Sequence, residues 1–292
     1  MDRLKTAIIG SGNIGTDLLV KVLRSPLLEC TAFIGRNLGS PGMSKASKLG
    51  VPVSDESIAY IERHPESCDL VFDATAAADH SLHAPILKRL GKVAVDLTPA
   101  RVGVMCSPAV NIKEALSSTN INMITCGGQA SIPLAYALSQ SHEDIEYLEV
   151  VSSIASRSAG PATRRNLDEY IHTTELGLEK FSGCRRVKAI LNLNPAQPCI
   201  NMQTTLLAKV ANPDIPSLRE QLERVVAKVR RYVPGYEVLV GPVLEGGRIV
   251  VMVRVRGLGD FLPAYAGNLD IINCAAIEMA EAYAMSANRM RA

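Results

Sequence analysis

The chain of 292 residues contains no tryptophan, and aromatic residues make up only 4% of it. That scarcity argues against an aromatic-rich binding surface and favours Leu, Val, Ile and Ala packed in α/β layers. Charge of one sign is also lacking. The formal net charge is +2 with no basic run, which leaves no electrostatic footprint for nucleic acid or an anionic membrane. No apolar stretch approaches the ~18 residues of a spanning helix. The opening Met1–Thr6 lacks the apolar centre of a signal peptide, so a soluble cytoplasmic protein is expected. Cys30, Cys68, Cys106, Cys126, Cys184, Cys199 and Cys274 form no Cys-x-x-Cys pair and have no His at zinc-ligand spacing, which disfavours both disulfides and a metal site. What remains is ample: 47% hydrophobic side chains are enough for two ordinary domains, with small molecules or other subunits as partners.

From Lys5 to about Thr125, short apolar runs alternate with helix-length segments: Thr6–Ile9, Cys30–Ile34, Leu70–Phe72, Val93–Asp96 and Asn122–Thr125. Such continuous runs suit parallel strands buried on both faces and predict an α/β fold with an N-terminal Rossmann-type doubly wound sheet. After Ala130 the texture changes. Glu149–Ser156, Val187–Asn192, Met202–Val210, Glu237–Leu244 and Arg248–Arg256 are strand-like, the last two flanking a Glu245-Gly246-Gly247 turn. Helical patterns over Arg164–Phe181 and Ser217–Tyr232 lie between them, so the middle of the chain reads as an antiparallel sheet covered by helices, an α+β substrate and assembly domain. A helix over Leu269–Ala287 would return to the first domain. The expected division is 1–130, completed by about 266–292, and 131–265.

Gly10-Ser11-Gly12-Asn13-Ile14-Gly15 follows the first strand and opens a helix near Thr16. In that context glycines permit a tight turn, let the backbone approach a pyrophosphate, and aim a helix N-terminus at its charge. The motif predicts a dinucleotide site; the competing reading is a glycine-rich turn without a ligand. Where an NAD site carries an acid, the chain has Gly35-Arg36-Asn37. Arg36 either pairs with a 2′-phosphate, which predicts tolerance of or preference for NADP, or is a solvated loop residue.

Cys126 lies between Asn122–Thr125 and Gly127-Gly128-Gln129-Ala130, with a helical pattern beyond. A cysteine at a strand-to-helix turn feels the helix N-terminus, which is expected to lower its pKa and to supply N–H donors for an oxyanion. The chemistry would be thiolate attack on an aldehyde, hydride transfer and a cysteine thioester. The alternative is a small buried residue, as free cysteines often are. The other six cysteines read as structural.

Gly10–Gly15 continuing into Thr16-Asp17-Leu18, Phe72–Thr75, Asp96–Ala100, Thr125–Ala130, Ser158–Arg164 and Leu262–Ile271 occur in an order that covers nearly the whole chain. In these motifs, above all Cys126–Ala130 and Pro263–Asp270, the chain resembles the acetylating acetaldehyde dehydrogenases. The resemblance implies that Cys126 carries an acyl thioester and that CoA, or another thiol, accepts the acyl group. It implies contacts to NAD or NADP from Ser11, Gly12, Asn13, Ile14, Thr75, Ser158, Ala159, Gly160, Pro161, Ala162, Thr163, Arg164, Arg165, Asn166 and Asn268. It further implies a homodimer formed through the middle domain, and a hydroxy-keto-acid aldolase partner delivering aldehyde through a channel. Asn166 and Leu167 fall where that channel meets the site, Leu167 being an apolar gate or ordinary core.

The chain departs from the family pattern in places. Gln203-Thr204-Thr205 stands where the family has Arg-Asp-Thr, so the aspartate proposed to activate water or the incoming thiol is missing. Ala162 replaces a Gly, Arg36-Asn37 replaces Ile-Asp, and the chain is shorter near Leu244–Arg248, features of a diverged paralogue. His172 lies where the family has a Glu and reads as a solvated side chain without a role. Two other functions stay open: a non-acylating, semialdehyde-type dehydrogenase, and a catalytically silent partner of an aldolase.

Overall fold

Seven strands build the first sheet: β1 (Leu4–Ile9), β2 (Leu28–Ile34), β3 (Val53–Ser54), β4 (Leu70–Asp73), β5 (Val93–Asp96), β6 (Val104–Met105) and β7 (Asn120–Asn122). The computed structural model describes residues 3–291, the side chains of 161, 162 and 289–291 excepted. The strand order is β3-β2-β1-β4-β5-β7-β6, with every pair parallel. Helices α1 (Asn13–Arg24), α2 (Pro41–Lys48), α3 (Ile58–Arg63), α4 (Ala77–Arg89) and α5 (Pro108–Ala115) connect the strands. The chain winds outward in both directions from β1 and β4, which opens a crevice above their C-terminal ends.

Both faces of this sheet are dry, which is why its strands read as unbroken apolar runs. Ala7, Ile9, Ala32, Ile34, Val71 and Ala94 pack with Ile61 of α3 and Leu87 of α4. Ile8, Phe33, Phe72 and Val95 face the other way, into the core shared with Leu18, Leu19 and Val22 of α1. Full burial of each such side chain contributes roughly 1.5–3 kcal/mol. The two-residue strands β3 and β6 are too short to show in a hydrophobic pattern. The expected strand over Asn122–Thr125 instead pairs at Asn120–Asn122 and leaves the sheet. Ile124 takes a left-handed backbone (φ 65°), which turns the chain away from the ladder.

The second sheet contains β8 (Ile145–Ala155), β9 (Val187–Asn194), β10 (Met202–Val210), β11 (Tyr236–Glu245) and β12 (Arg248–Val255), in the order β11-β12-β10-β8-β9. It is mixed rather than antiparallel, because β8 and β9 pair in parallel across a helical crossover. The remaining helices are α6 (Cys126–Ser139), α7 (Pro161–Arg165), α8 (Leu167–Ser182), α9 (Ile215–Tyr232) and α10 (Gly267–Arg291). The helix expected over Arg164–Phe181 is therefore split at Asn166. Alternation along β10 buries Met202, Thr204, Leu206 and Ala208 and leaves Gln203, Thr205 and Leu207 half-buried. The inward set shares one core with Ala130, Leu134 and Leu138 of α6, and Tyr236 Oη donates to Ala130 O at 2.7 Å. Helix α6 thus joins the two sheets.

The C-terminal helix α10 returns to the first sheet, as expected, and packs on α1. Lys21 Nζ of α1 lies 2.9 Å from Asp17 Oδ2, 2.9 Å from Asp260 Oδ2 and 2.7 Å from Asp270 Oδ1. Asn273 Nδ2 donates to Asp17 Oδ2 at 2.9 Å. Among the described residues no helix is long and apolar enough to cross a membrane.

Candidate active site

The glycine loop takes the form its sequence calls for. Gly10 has φ 116°, open to glycine but not to L side chains, and a Cβ on Gly15 would lie 1.8 Å from Gly10 O. Helix α1 begins at Asn13, earlier than the expected Thr16, with Gly12 in the capping position. No side chain caps it and its first turn holds no acid, so its N–H groups are left for an anion. Ser11 Oγ contacts Ser40 Oγ at 3.1 Å. Arg36 and Asn37 are exposed just beyond β2, where Asn37 Oδ1 accepts from Gly39 N at 2.8 Å.

Beside this loop, Ile14 of α1 and Thr75, Leu97, Thr98 and Pro99, just past the ends of β4 and β5, meet Ile124, Thr125 and Cys126, and then Thr163, Asn166 and Tyr170 of the α7–α8 region. Asn268, Leu269 and Ile272 of α10 close a cleft with about 570 Å³ of empty space, partly open to solvent. Two strand-end carboxylates set its threonines. Asp73 Oδ1 accepts from Thr75 N at 3.1 Å, and Asp96 Oδ1 from Thr98 N at 2.8 Å. Asn122 Nδ2 donates to Asp96 Oδ2 at 2.7 Å, while Asn122 Oδ1 accepts from Ile124 N at 3.0 Å. The strained turn at Ile124 is thereby anchored to the sheet.

That turn presents Thr125 as the cap of α6: its hydroxyl accepts from Gly128 N at 2.8 Å. Cys126 follows as the first helical residue and is buried at the cleft. The Tyr170 hydroxyl lies 3.6 Å from its Sγ, and the N–H groups of Gly127 and Cys126 face the sulfur. Contrary to the expectation from the helix N-terminus alone, the Cys126 thiol is raised above its ordinary range. Burial pushes it up and outweighs the opposing pull of Tyr170 and the two N–H groups. Burial likewise pushes Cys30 up to about 12, Cys68 to about 11 and Cys106 to about 12, as for packed, unreactive thiols.

A dinucleotide fits these surroundings. Asn268 is fully buried and lines the cleft, yet neither Oδ1 nor Nδ2 has a partner among the described residues, and Thr98 Oγ1 is in the same position. Orphan polar atoms beside an uncapped helix start are a binding surface for a polar ligand. Of the expected segment Ser158–Asn166, the structure brings Thr163 and Asn166 to the cleft. Ser158 Oγ instead donates to Ala155 O at 2.8 Å, and Ala159 is buried. Arg164 clamps its own turn through Ser156 O (3.0 Å) and Ala159 O (3.1 Å), and Arg165 is exposed. Gly160 has open space around it, while the side chains of Pro161 and Ala162 lie outside the described residues. Leu167 is half-buried and does not line the cleft. His172 is exposed.

Thr204 is buried one side chain from Cys126's neighbour. Its hydroxyl is 3.0 Å from Ser152 Oγ, and a Cβ on Gly127 would lie 3.2 Å from that same Ser152 oxygen. Tyr170 was missed by sequence reasoning, although it follows Asn166 by one helical turn and therefore shares its face.

Comparisons with known proteins bear on this site. Residues 126–263 match the family described as prokaryotic acetaldehyde dehydrogenase, dimerisation. The chain is 62% identical to an acetaldehyde dehydrogenase of Spirochaeta aurantia, over 98% of this chain and 96% of that one. It is 56% identical to an acetaldehyde dehydrogenase of Pectobacterium atrosepticum, over 96% of this chain and 95% of that one. In fold it is similar to aspartate semialdehyde dehydrogenase of Candida albicans with NADP (TM-score 0.65, 13% identity, 95% and 99% of the two chains). Aspartate semialdehyde dehydrogenase II of Vibrio cholerae has the same fold (TM-score 0.64, 14% identity, 96% and 98% of the two chains).

Proposed function

The chain belongs to the acetaldehyde dehydrogenase family, and from that premise we propose that it interconverts an aldehyde, CoA and NAD(P)+ with an acyl-CoA and NAD(P)H through a thioester on Cys126. As an aldehyde dehydrogenase it is an oxidoreductase that uses a nicotinamide cofactor. Acetaldehyde and acetyl-CoA are the proposed substrate pair. The observation that carries the reading is the seat of Cys126, first residue of α6, in a cleft shared with the orphaned Asn268 amide and Thr98 hydroxyl.

The Cys126 thiolate adds to the aldehyde carbonyl carbon, forming a C–S bond while the carbonyl electron pair moves to oxygen. The N–H groups at the start of α6 stabilise that oxyanion. When bound, the nicotinamide supplies the hydride acceptor, or in reverse the donor. The CoA thiolate then attacks the thioester carbon, and Cys126 leaves with the electron pair of its C–S bond. The uncapped start of α1 and the Gly10–Gly15 loop would hold the pyrophosphate, while Thr75, Thr163, Asn166 and Asn268 would orient the cofactor. Exposed Arg36 supports use of NADP. With Thr204 in place of a carboxylate, no acid in the cleft deprotonates the incoming thiol, so CoA must arrive ionised or lose its proton to solvent.

The proposed division is 1–130 with 266–292 against 131–265, a reading supported by the presence of two separate sheets. The homodimer contact is proposed for the outer face of the second sheet, where Val151, Leu207, Val250 and Met252 are half-buried and apolar. By resemblance an aldolase supplies the aldehyde near Asn166, which co-purification of the two proteins tests.

The deciding experiment follows NAD+ and NADP+ reduction with acetaldehyde, with and without CoA, for the wild type and Cys126→Ala. CoA-dependent turnover that yields acetyl-CoA and vanishes in the variant is expected. Turnover without CoA would favour the semialdehyde-type reading, and no turnover by either protein would favour a silent partner.

A further inference from the structure

The cleft that holds Cys126 is poor in acids and bases. Of its lining residues only Cys126 and Tyr170 carry a group that titrates; the rest are Thr, Asn, Pro and aliphatic side chains. The Tyr170 hydroxyl and Cys126 Sγ, 3.6 Å apart, are both buried. While the sulfur is a thiol either group can donate to the other, but a thiolate has no proton and can only accept, so once Cys126 ionises the phenol is the donor of the pair. Burial also pushes the phenol well above its ordinary range, so it remains a donor at every working pH.

We propose, on the reading that Cys126 forms the thioester, that Tyr170 is a second catalytic residue whose O–H donates a hydrogen bond to the Cys126 thiolate. That bond offsets part of the burial that disfavours the ionised sulfur. A hydrogen bond to a charged group is worth about one pKa unit or more, hence roughly tenfold more thiolate at neutral pH. Nucleophilicity falls by only about 0.4–0.5 log unit per unit of pKa, so attack gains roughly threefold. The larger benefit comes at release. When CoA displaces Cys126 from the acyl carbon, the C–S electron pair returns to a sulfur that already faces a donor, and thiols of lower pKa leave faster.

The test is alkylation of Cys126 by iodoacetamide between about pH 6 and pH 11, quantified on the Cys126 peptide by mass spectrometry, for the wild type and Tyr170→Phe. The sulfur displaces iodide, so the rate reports thiolate directly. In the variant the midpoint is expected to move up by about one unit, the rate near pH 7 to fall roughly threefold, and the high-pH plateau to rise roughly threefold, so that the curves cross. A hydroxyl that served packing alone would scale the rates without moving the midpoint, and that result overturns the proposal. Incorporating 3-fluorotyrosine at position 170, a stronger donor of nearly the same shape, is expected to move the midpoint down; an unmoved midpoint there also counts against it. Cys126→Ala separates the two levels. Turnover lost in that variant with an unmoved midpoint in Tyr170→Phe rejects the role of Tyr170 alone, whereas turnover retained in Cys126→Ala rejects the thioester reading and the role of Tyr170 with it.

Discussion

Gly127 and Tyr170 are matched: a Cβ on Gly127 would lie 2.1 Å from the Tyr170 hydroxyl oxygen and 3.1 Å from its ring carbon Cζ. The missing side chain at one position is what lets the phenol at the other reach Cys126. Gly127→Ala is therefore expected to be destabilising by about 1–3 kcal/mol through overpacking, and to lower kcat/KM at least tenfold as the phenol is displaced. Removing the hydroxyl relieves the worst overlap. The double variant Gly127→Ala/Tyr170→Phe should unfold at a higher denaturant concentration than Gly127→Ala alone, a non-additivity that urea titrations measure. Additive losses would mean that the two residues do not share this space.

The sequence made the parallel sheet legible because strands buried on both faces leave continuous apolar runs, and the glycine loop legible because close backbone approach admits nothing larger. The edge between strand and helix at Asn122–Cys126 was harder. Met123, Ile124 and Thr125 look like strand residues, and only the side-chain bonds of Asn122 to Ile124 N and Asp96 show why the chain leaves the ladder there. The parallel pairing of β9 with β8 is a tertiary choice that no local pattern encodes. Neither was the raised thiol of Cys126 legible, since a helix N-terminus can be read from residue order but depth of burial cannot.

The proposed use of NADP rests on Arg36. It is exposed just past the end of β2 with no acid at the following position, Asn37. A charge-assisted bond to a 2′-phosphate is worth about 1.5–3 kcal/mol, so Arg36→Asp should lower kcat/KM with NADPH by tenfold to a hundredfold while leaving NADH within a few-fold. Equal losses with both cofactors would place Arg36 outside 2′-phosphate recognition.

Lys21 ties the C-terminal helix to the first domain. Burial alone would push its ammonium down, but Asp270 above all, together with Asp17, reverses the direction and raises it, so it stays charged. The ammonium occupies the point where the carboxylates of Asp17, Asp260 and Asp270 converge, the place a metal cation would otherwise take. Lys21→Met keeps the length of the side chain and leaves those carboxylates facing one another. A loss of roughly 3–5 kcal/mol is expected at pH 7, read from urea unfolding. A change below about 1 kcal/mol, the worth of a surface pair, would contradict this account.

Asp73 provides the pH-dependent term. Its Oδ2 lies 2.9 Å from His80 Nδ1 and 2.7 Å from His83 Nδ1. Burial pushes this carboxyl up, but the hydrogen bonds and charges of the two imidazoles prevail and hold it well below the usual carboxylate range. A depressed carboxyl contributes stability that is present above its unfolded value of about 3.9 and lost as pH falls toward the folded value. His80 responds in the opposite sense: burial lowers it, yet Asp73 and Asp96 raise it above its ordinary value. Its contribution is full below about 6.5 and is lost as pH rises through the raised value. The stability gap between the wild type and Asp73→Asn should therefore be widest between about pH 4.5 and pH 6.5 and narrow on both sides. Its height should fall at or below the ~3–5 kcal/mol of a broken buried pair, because an imidazole left alone can deprotonate. Urea midpoints near pH 3.5, 6 and 9 measure it. A gap that stayed constant across that range would show that the contacts of Asp73 carry no charge, and because Asp73 also holds Thr75 N, any effect on catalysis should fall on the KM for the cofactor rather than on kcat.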